Sequence, residues 1–295
     1  MVPDIMYDMP LYRPPSEGDN LIVQATLGCS HNHCSFCAMY KSKAYVARPL
    51  DDVCAHIDEL ARMWPDARRV FLADGDALAL PTAQLEAIAD KLAATFPGLQ
   101  RISAYATPGN LLRKGIDELE RLKAKRLSLL YVGMESGSAE VLRRIAKGVS
   151  PERMVEALDK ARAVGMKVSA TVILGLGGRA LAAEHIAATA ELVNRAPPNY
   201  LSTLQLTLVE QAAADFLGRW EGQFKPQTDD GILREQLHLL EALAPPSAVI
   251  FRSNHASNCL ALAGTLPKDN ARLQAEVTAA LEDGGRLRPD WLRGL

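Results

Sequence analysis

The sequence has no excess of either charge: 33 Lys and Arg stand against 35 Asp and Glu, a net charge of -2. So even a balance gives no electrostatic footprint for a long nucleic acid, and a nucleic-acid substrate is disfavoured. No uninterrupted apolar run reaches the roughly 20 residues that span a bilayer. The N-terminus MVPDIMYDMP lacks both the basic start and the apolar core of a signal peptide. These absences leave the cytoplasm as the expected compartment, with no membrane partner. Cysteine is scarce, and five residues of which three share one loop do not make a secreted disulfide framework. Structural zinc sites commonly use two separated Cys pairs, and no second Cys-x2-Cys is present. There is no low-complexity tract and no repeat beyond the alternation of strands and helices.

What the chain does have is GCSHNHCSFCAMY at 28–40, which places Cys29, Cys34 and Cys37 within nine residues. The β-rich run LIVQATLG (21–28) precedes it, so the loop begins where a strand stops. Thiolates are soft ligands that suit zinc or iron-sulfur clusters. Three of them leave one position open. On a [4Fe-4S] cluster the fourth iron could take a small chelating ligand, whereas on zinc His31, His33 or water would close the shell. Spacing and context favour the cluster.

Apolar spacing predicts helices at 48–64, 81–96, 110–125, 139–148, 151–165 and 181–196, alternating with strands at 68–74, 101–107, 127–133, 167–175 and 200–209. Gly115 weakens the third helix. This alternation makes an α/β protein with a parallel sheet, because parallel neighbours need right-handed crossovers that helices fill. The sheet is either open and doubly wound or a partial barrel, and both place ligands at the C-terminal strand ends. The cysteine loop, Asp74-Gly75-Asp76, Glu135-Ser136-Gly137-Ser138 and Gly175-Leu176-Gly177-Gly178 all fall there. The last third is less regular, with a helix at 229–243, a strand at 248–253, the polar loop NHASN at 254–258 and a helix at 268–283.

The cysteine loop after the first strand, with Phe36 just before its last Cys, resembles the radical S-adenosylmethionine (SAM) superfamily. YVGMESGSAEVLRRIAKG (131–148) and VILGLGG (172–178) are similar to the branch of oxygen-independent coproporphyrinogen oxidases, methylthiotransferases and the Elongator catalytic subunit. The likeness covers about residues 20–215, although Cys-x4-Cys-x2-Cys is a variant of the common Cys-x3-Cys-x2-Cys spacing. The resemblance implies a partial (β/α)6 TIM-like barrel at 21–215, an N-terminal arm at 1–20 and a small α/β extension at 216–295 capping the barrel.

It also implies an enzyme in which Cys29, Cys34 and Cys37 hold a [4Fe-4S] cluster that cleaves SAM reductively, so that hydrogen is abstracted from a small-molecule or peptide substrate. The electron would come from a reductase such as flavodoxin or ferredoxin. SAM contacts are expected from Phe36, Tyr40, Asp76, Glu135, the backbone at Gly137, Lys147 with Arg144 as its rival, Gly175 and Gly177. The alternatives to these roles are a turn or cap for Asp76, a surface carboxylate for Glu135, and turn geometry for the glycines. Tyr105, Asn254, His255 and Asn258 end predicted strands and are substrate-side candidates, with loop capping as the alternative. Cys54 and Cys259 read as buried structural thiols, and His56, His185 and His238 lie in predicted helices. Two spare cysteines exclude an auxiliary cluster, and the short arm is expected to leave no room for a methylthiotransferase or cobalamin domain. The competing functions are a radical-SAM-like tetrapyrrole carrier without turnover and a zinc-stabilised scaffold.

Overall fold

The computed structural model describes residues 7–284 and 287–294. The strands are β1 (Leu21–Gln24), β2 (Thr26–Leu27), β3 (Val46–Ala47), β4 (Arg69–Ala73), β5 (Arg101–Tyr105), β6 (Leu127–Glu135), β7 (Lys167–Leu174), β8 (Tyr200–Gln205), β9 (Val249–Ser253) and β10 (Leu262–Leu266). The helices are α1 (Leu50–Met63), α2 (Thr82–Thr95), α3 (Pro108–Arg113), α4 (Ile116–Ala124), α5 (Ala139–Arg144), α6 (Pro151–Ala163), α7 (Ala182–Arg195), α8 (Glu210–Gly218), α9 (Asp229–Ala242) and α10 (Asn270–Asp283). Eight strands follow the order β1-β4-β5-β6-β7-β8-β9-β10, and among the described residues this order does not close on itself. The protein is thus α/β with a largely parallel sheet. The chain divides into two compact units, Met1–Asn32 with Met39–Val132 and Asp159–Val168, and His33–Ala38 with Gly133–Leu158 and Ser169–Leu295.

In the first unit β1 pairs in parallel with β4, β4 with β5, and β5 with β6. Val23, Val70, Phe71, Ile102, Ala104 and Leu130 are buried along these strands. The helices bury residues at helical spacing, Val53, Ile57 and Leu60 on α1 and Ile88 and Leu92 on α2, so one stripe of each faces the core. Two expectations change here. The first predicted strand breaks after Gln24, because Thr26 and Leu27 leave β4 and pair antiparallel with β3. The predicted helix 110–125 is two helices, α3 and α4. They part at Lys114-Gly115, where Lys114 Nζ reaches away to Leu80 O (2.8 Å) and Glu118 Oε2 accepts from Gly115 N (2.6 Å), starting a new helix.

In the second unit β7–β8 and β8–β9 are parallel, and β10 closes the edge antiparallel to β9. Neither β10 nor α8 was expected from sequence. Gly264 interrupts the apolar pattern of the first, and AAADFLG is too short a period to announce the second. A buried cluster of Val141, Leu142, Ile145, Ile173, Leu176, Phe216 and Trp220 forms a core here, and Phe36 packs against it.

Candidate functional site

The cysteine loop is held by side chains and backbone, since it has no strand or helix of its own. In the first unit its start is met by Asp74-Gly75-Asp76, the residues that follow β4. Gly28 N donates to Asp74 Oδ2 (3.1 Å), and Gly75 N donates to Gly28 O (3.1 Å). Lys43 Nζ donates to the same Asp74 oxygen (3.0 Å), a pair with 6% and 0% of the side chains exposed. Burial pushes the Asp74 carboxyl up, and Lys43 and Gly28 pull it back. Asp76 Oδ2 accepts from Ser30 Oγ and Asn110 Nδ2, and Oδ1 from Thr107 N (3.3 Å). Asn32 Nδ2 donates to Tyr40 O (2.6 Å) and Lys43 O (3.1 Å), closing the loop on itself.

Gly75 is required by close approach: a Cβ there would lie 2.7 Å from the Tyr40 ring and 2.8 Å from Cys29 Cβ. Tyr40, 3% exposed, packs edge-on against Tyr12, and its hydroxyl is pushed up by burial and by Asp74. Burial likewise pushes Tyr45 up to about 12, with Asp76 and Cys29 adding to the shift. Sequence reasoning did not single out Lys43, Ser30 or Asn110. Nothing in their local pattern marks them, because their partners lie tens of residues away. Asp76 was expected at the SAM amine. In the structure both of its oxygens accept from protein donors.

In the second unit Ser35 N donates to Ile145 O (2.9 Å), which ties Cys34 and Cys37 to the end of α5. Glu135 ends β6 with φ +64, and Lys147 Nζ donates to its Oε1 (2.9 Å). Their side chains are 10% and 9% exposed. Burial disfavours the Lys147 charge, but the Glu135 carboxylate and the thiols of Cys34 and Cys37 outweigh it, and the net shift is upward. The surface-carboxylate alternative for Glu135 is therefore removed. Gly133 makes room for this pair: a Cβ on it would lie 1.9 Å from Glu135 Oε1 and 2.8 Å from Lys147 Nζ. Arg144, the rival cation, is committed to Glu140 (2.5 Å) and stacks over Trp220 at 4.7 Å.

The segment 136–138 is a lock onto α7. Ser136 Oγ meets His185 Nδ1 (2.8 Å), whose Nε2 meets Ile173 O (3.0 Å); burial lowers this imidazole to about 4 and keeps it neutral. The carbonyl acceptor requires the proton on Nε2, so Ser136 donates to Nδ1. Gly137 N donates to Thr189 Oγ1 (2.8 Å), and Ser138 Oγ caps α5 through Val141 N (3.1 Å). Gly175 N donates to Glu235 Oε2 (2.6 Å), and Gln227 Nε2 to Oε1 (2.9 Å). Burial pushes Glu235 up to about 7. Gly177 O accepts from Leu181 N (3.2 Å) at the start of α7.

The NHASN loop is a hydrogen-bonded cap. Asn258 accepts from Gln205 N (2.7 Å) and donates to Thr203 O (2.8 Å) and Ser253 Oγ (2.9 Å), so its amide is spoken for. His255 Nδ1 accepts from Ser257 N (3.1 Å), while Arg288 Nη1 donates to His255 O (2.7 Å) and Ala256 O (2.8 Å). Asn254 is exposed. Cys259 is buried, its thiol pushed up to about 11 by burial, as a structural thiol should be. Tyr105 stacks edge-on with Phe71 (5.1 Å) and Tyr131 (6.1 Å) in the first unit.

The donor set fits an iron-sulfur cluster. Among the described residues no cysteine forms a disulfide, and Cys29, Cys34 and Cys37 are half-buried soft donors. Among the same residues no three His, Cys, Asp or Glu side chains converge on one metal ion. Cluster ligands have no need to, since each thiolate of a cubane binds its own iron.

The fold is α/β, with the cysteine loop and the polar and Gly-rich segments at the strand ends. The radical SAM superfamily model matches residues 23–193, more than half of the chain, and the chain belongs to that superfamily. Its cofactors are accordingly a [4Fe-4S] cluster and SAM, and the zinc-scaffold reading gives way. A tRNA-2-methylthio-N(6)-dimethylallyladenosine synthase of Bordetella petrii is 28% identical over 175 residues, 56% of this chain and 36% of that protein. The synthase of that name from Shewanella denitrificans is 28% identical over 193 residues, 62% of this chain and 40% of that protein. The chain thus spans about two-fifths of the length of these relatives. Coproporphyrinogen III oxidase (HemN) from Escherichia coli shares the fold, with a TM-score of 0.58 and 21% identity over 75% of this chain and 50% of that one. Among the described residues no helix is long and apolar enough to cross a membrane.

Proposed function

We propose that this radical SAM enzyme holds its cluster on Cys29, Cys34 and Cys37, cleaves SAM reductively, and abstracts hydrogen from a small-molecule or peptide substrate. The observation that carries the reading is the buried Lys147–Glu135 pair, whose ammonium also feels the thiols of Cys34 and Cys37. A cation and an anion held at a β-strand end beside two cluster thiolates suit the carboxylate and amine of a zwitterionic amino acid. When bound, the cluster supplies the electron for cleavage of the sulfonium bond. This chain's own residues orient SAM. Lys147 faces its carboxylate, Glu135 its amine or ribose, and the strand-end backbone at Gly175 and Gly177 lines the adenine side. Phe36, half-buried against the second unit's core, shields the loop from water.

The even charge supports a small or peptide substrate. The tRNA in the relatives' names is therefore the competing arm of the test. Anaerobic protein reconstituted with iron and sulfide is incubated with SAM and dithionite, alone and with tRNA. 5'-Deoxyadenosine formed without tRNA, and no faster with it, supports the reading. None under either condition sinks turnover and favours a carrier.

A further inference from the structure

We infer that Asp74 and Asp76 are positioning residues: they extend the β1–β4 register past the strand ends through side chains and so set the direction of Cys29. This rests on the reading that Cys29 is a cluster ligand. The ladder of β1 on β4 ends at Gln24↔Ala73. Beyond it the chains stay in step, by different bonds. Ala25 N donates to Ala73 O (2.8 Å), Asp74 N to Thr26 Oγ1 (3.2 Å), Gly75 N to Gly28 O (3.1 Å), Gly28 N to Asp74 Oδ2 (3.1 Å), and Ser30 Oγ to Asp76 Oδ2. Cys29 is the residue in between. Its neighbour on one side is held through the backbone, its neighbour on the other through a hydroxyl, and its own Cβ lies over Gly75, where no Cβ is tolerated.

Each carboxylate is in turn fixed by independent donors. Lys43 holds Asp74, and Asn110 Nδ2 with Thr107 N holds Asp76. Both aspartates are 0% exposed. Asp76, with both oxygens engaged, is a rigid post, since any rotation strands several buried donors; Asp74 is held through Oδ2 alone, its Oδ1 being buried without a hydrogen-bond partner among the described residues. Asp76 therefore acts on the cluster through Ser30 and the loop backbone, by holding Cys29 in its ligating direction before iron arrives.

The test uses the full chain carrying Ser30→Ala or Asp76→Asn. The first removes the tie and leaves the charge, so it remains informative if the second fails to fold. Hydrogen exchange of residues 28–32 in the cluster-free protein should quicken roughly tenfold or more in each variant, the scale of one lost charge-assisted hydrogen bond. The reduced, SAM-free cluster should show altered electron paramagnetic resonance g-values at unchanged iron content. Unaltered exchange and SAM-free spectra, with SAM affinity alone weakened, would overturn the inference and make Asp76 a SAM contact. Should wild-type protein take up no iron, the cluster assignment fails instead, and the exchange measurement still decides the clamp.

Discussion

Gly133 shows how much one residue can settle at this site. Glycine there leaves the space that the Glu135–Lys147 pair takes. Gly133→Ala should push the pair apart. We expect SAM affinity of the reconstituted protein to fall about tenfold or more, equivalent to about 1.4 kcal/mol, with iron content unchanged, as read by equilibrium dialysis. A variant that binds SAM normally would show that the pair serves the fold alone. The same site shows what residue-level reading of the sequence could reach. Glu135 and Lys147 were legible because they stand in a patterned stretch. Lys43 and Asn110 were not, because a lysine or asparagine declares its role only when a distant carboxylate closes on it.

At the scale of elements, α9 reaches the end of β7 through Glu235, a contact 60 residues long in sequence. Burial raises this carboxyl from 4.5 to about 7. The folded protein therefore keeps a proton that the unfolded chain gives up. The group's contribution to stability is fully present below about 4.5 and is lost as pH rises through about 7. Glu235→Gln removes that dependence. The stability of the variant relative to wild type should be more favourable at pH 8 than at pH 5.5, by at most about 2 kcal/mol, as read by denaturant unfolding at the two pH values. Equal differences at both pH values would contradict the assignment. Element boundaries followed the sequence wherever periodicity ran long, as in α1, α2, α7 and β7. They departed from it where long-range bonds decide: Thr26 and Leu27 turning from β4 to β3 in the first strand, and Lys114 and Gly115 dividing α3 from α4. The antiparallel pairing of β10 follows from the strand beside it and leaves little mark in LAGTL itself.

For the whole molecule, the alternation of strands and helices and the cysteine loop carry the class of protein, and both are legible in the sequence. The substrate-side candidates were not, because Asn258 and His255 carry the same residue types whether they face a substrate or cap a loop. Cys34→Ala should abolish iron uptake while far-UV circular dichroism stays within a few per cent of wild type, because the loop contributes no helix. A full iron complement in that variant would refute the ligand assignment.

The central claim is that three cysteines leave an iron open for SAM. Its most direct test is the electron paramagnetic resonance spectrum of the dithionite-reduced, reconstituted protein recorded with and without SAM. The account expects a [4Fe-4S] signal whose g-values shift when SAM is added. A signal indifferent to SAM, or a preparation that holds no cluster, would contradict it.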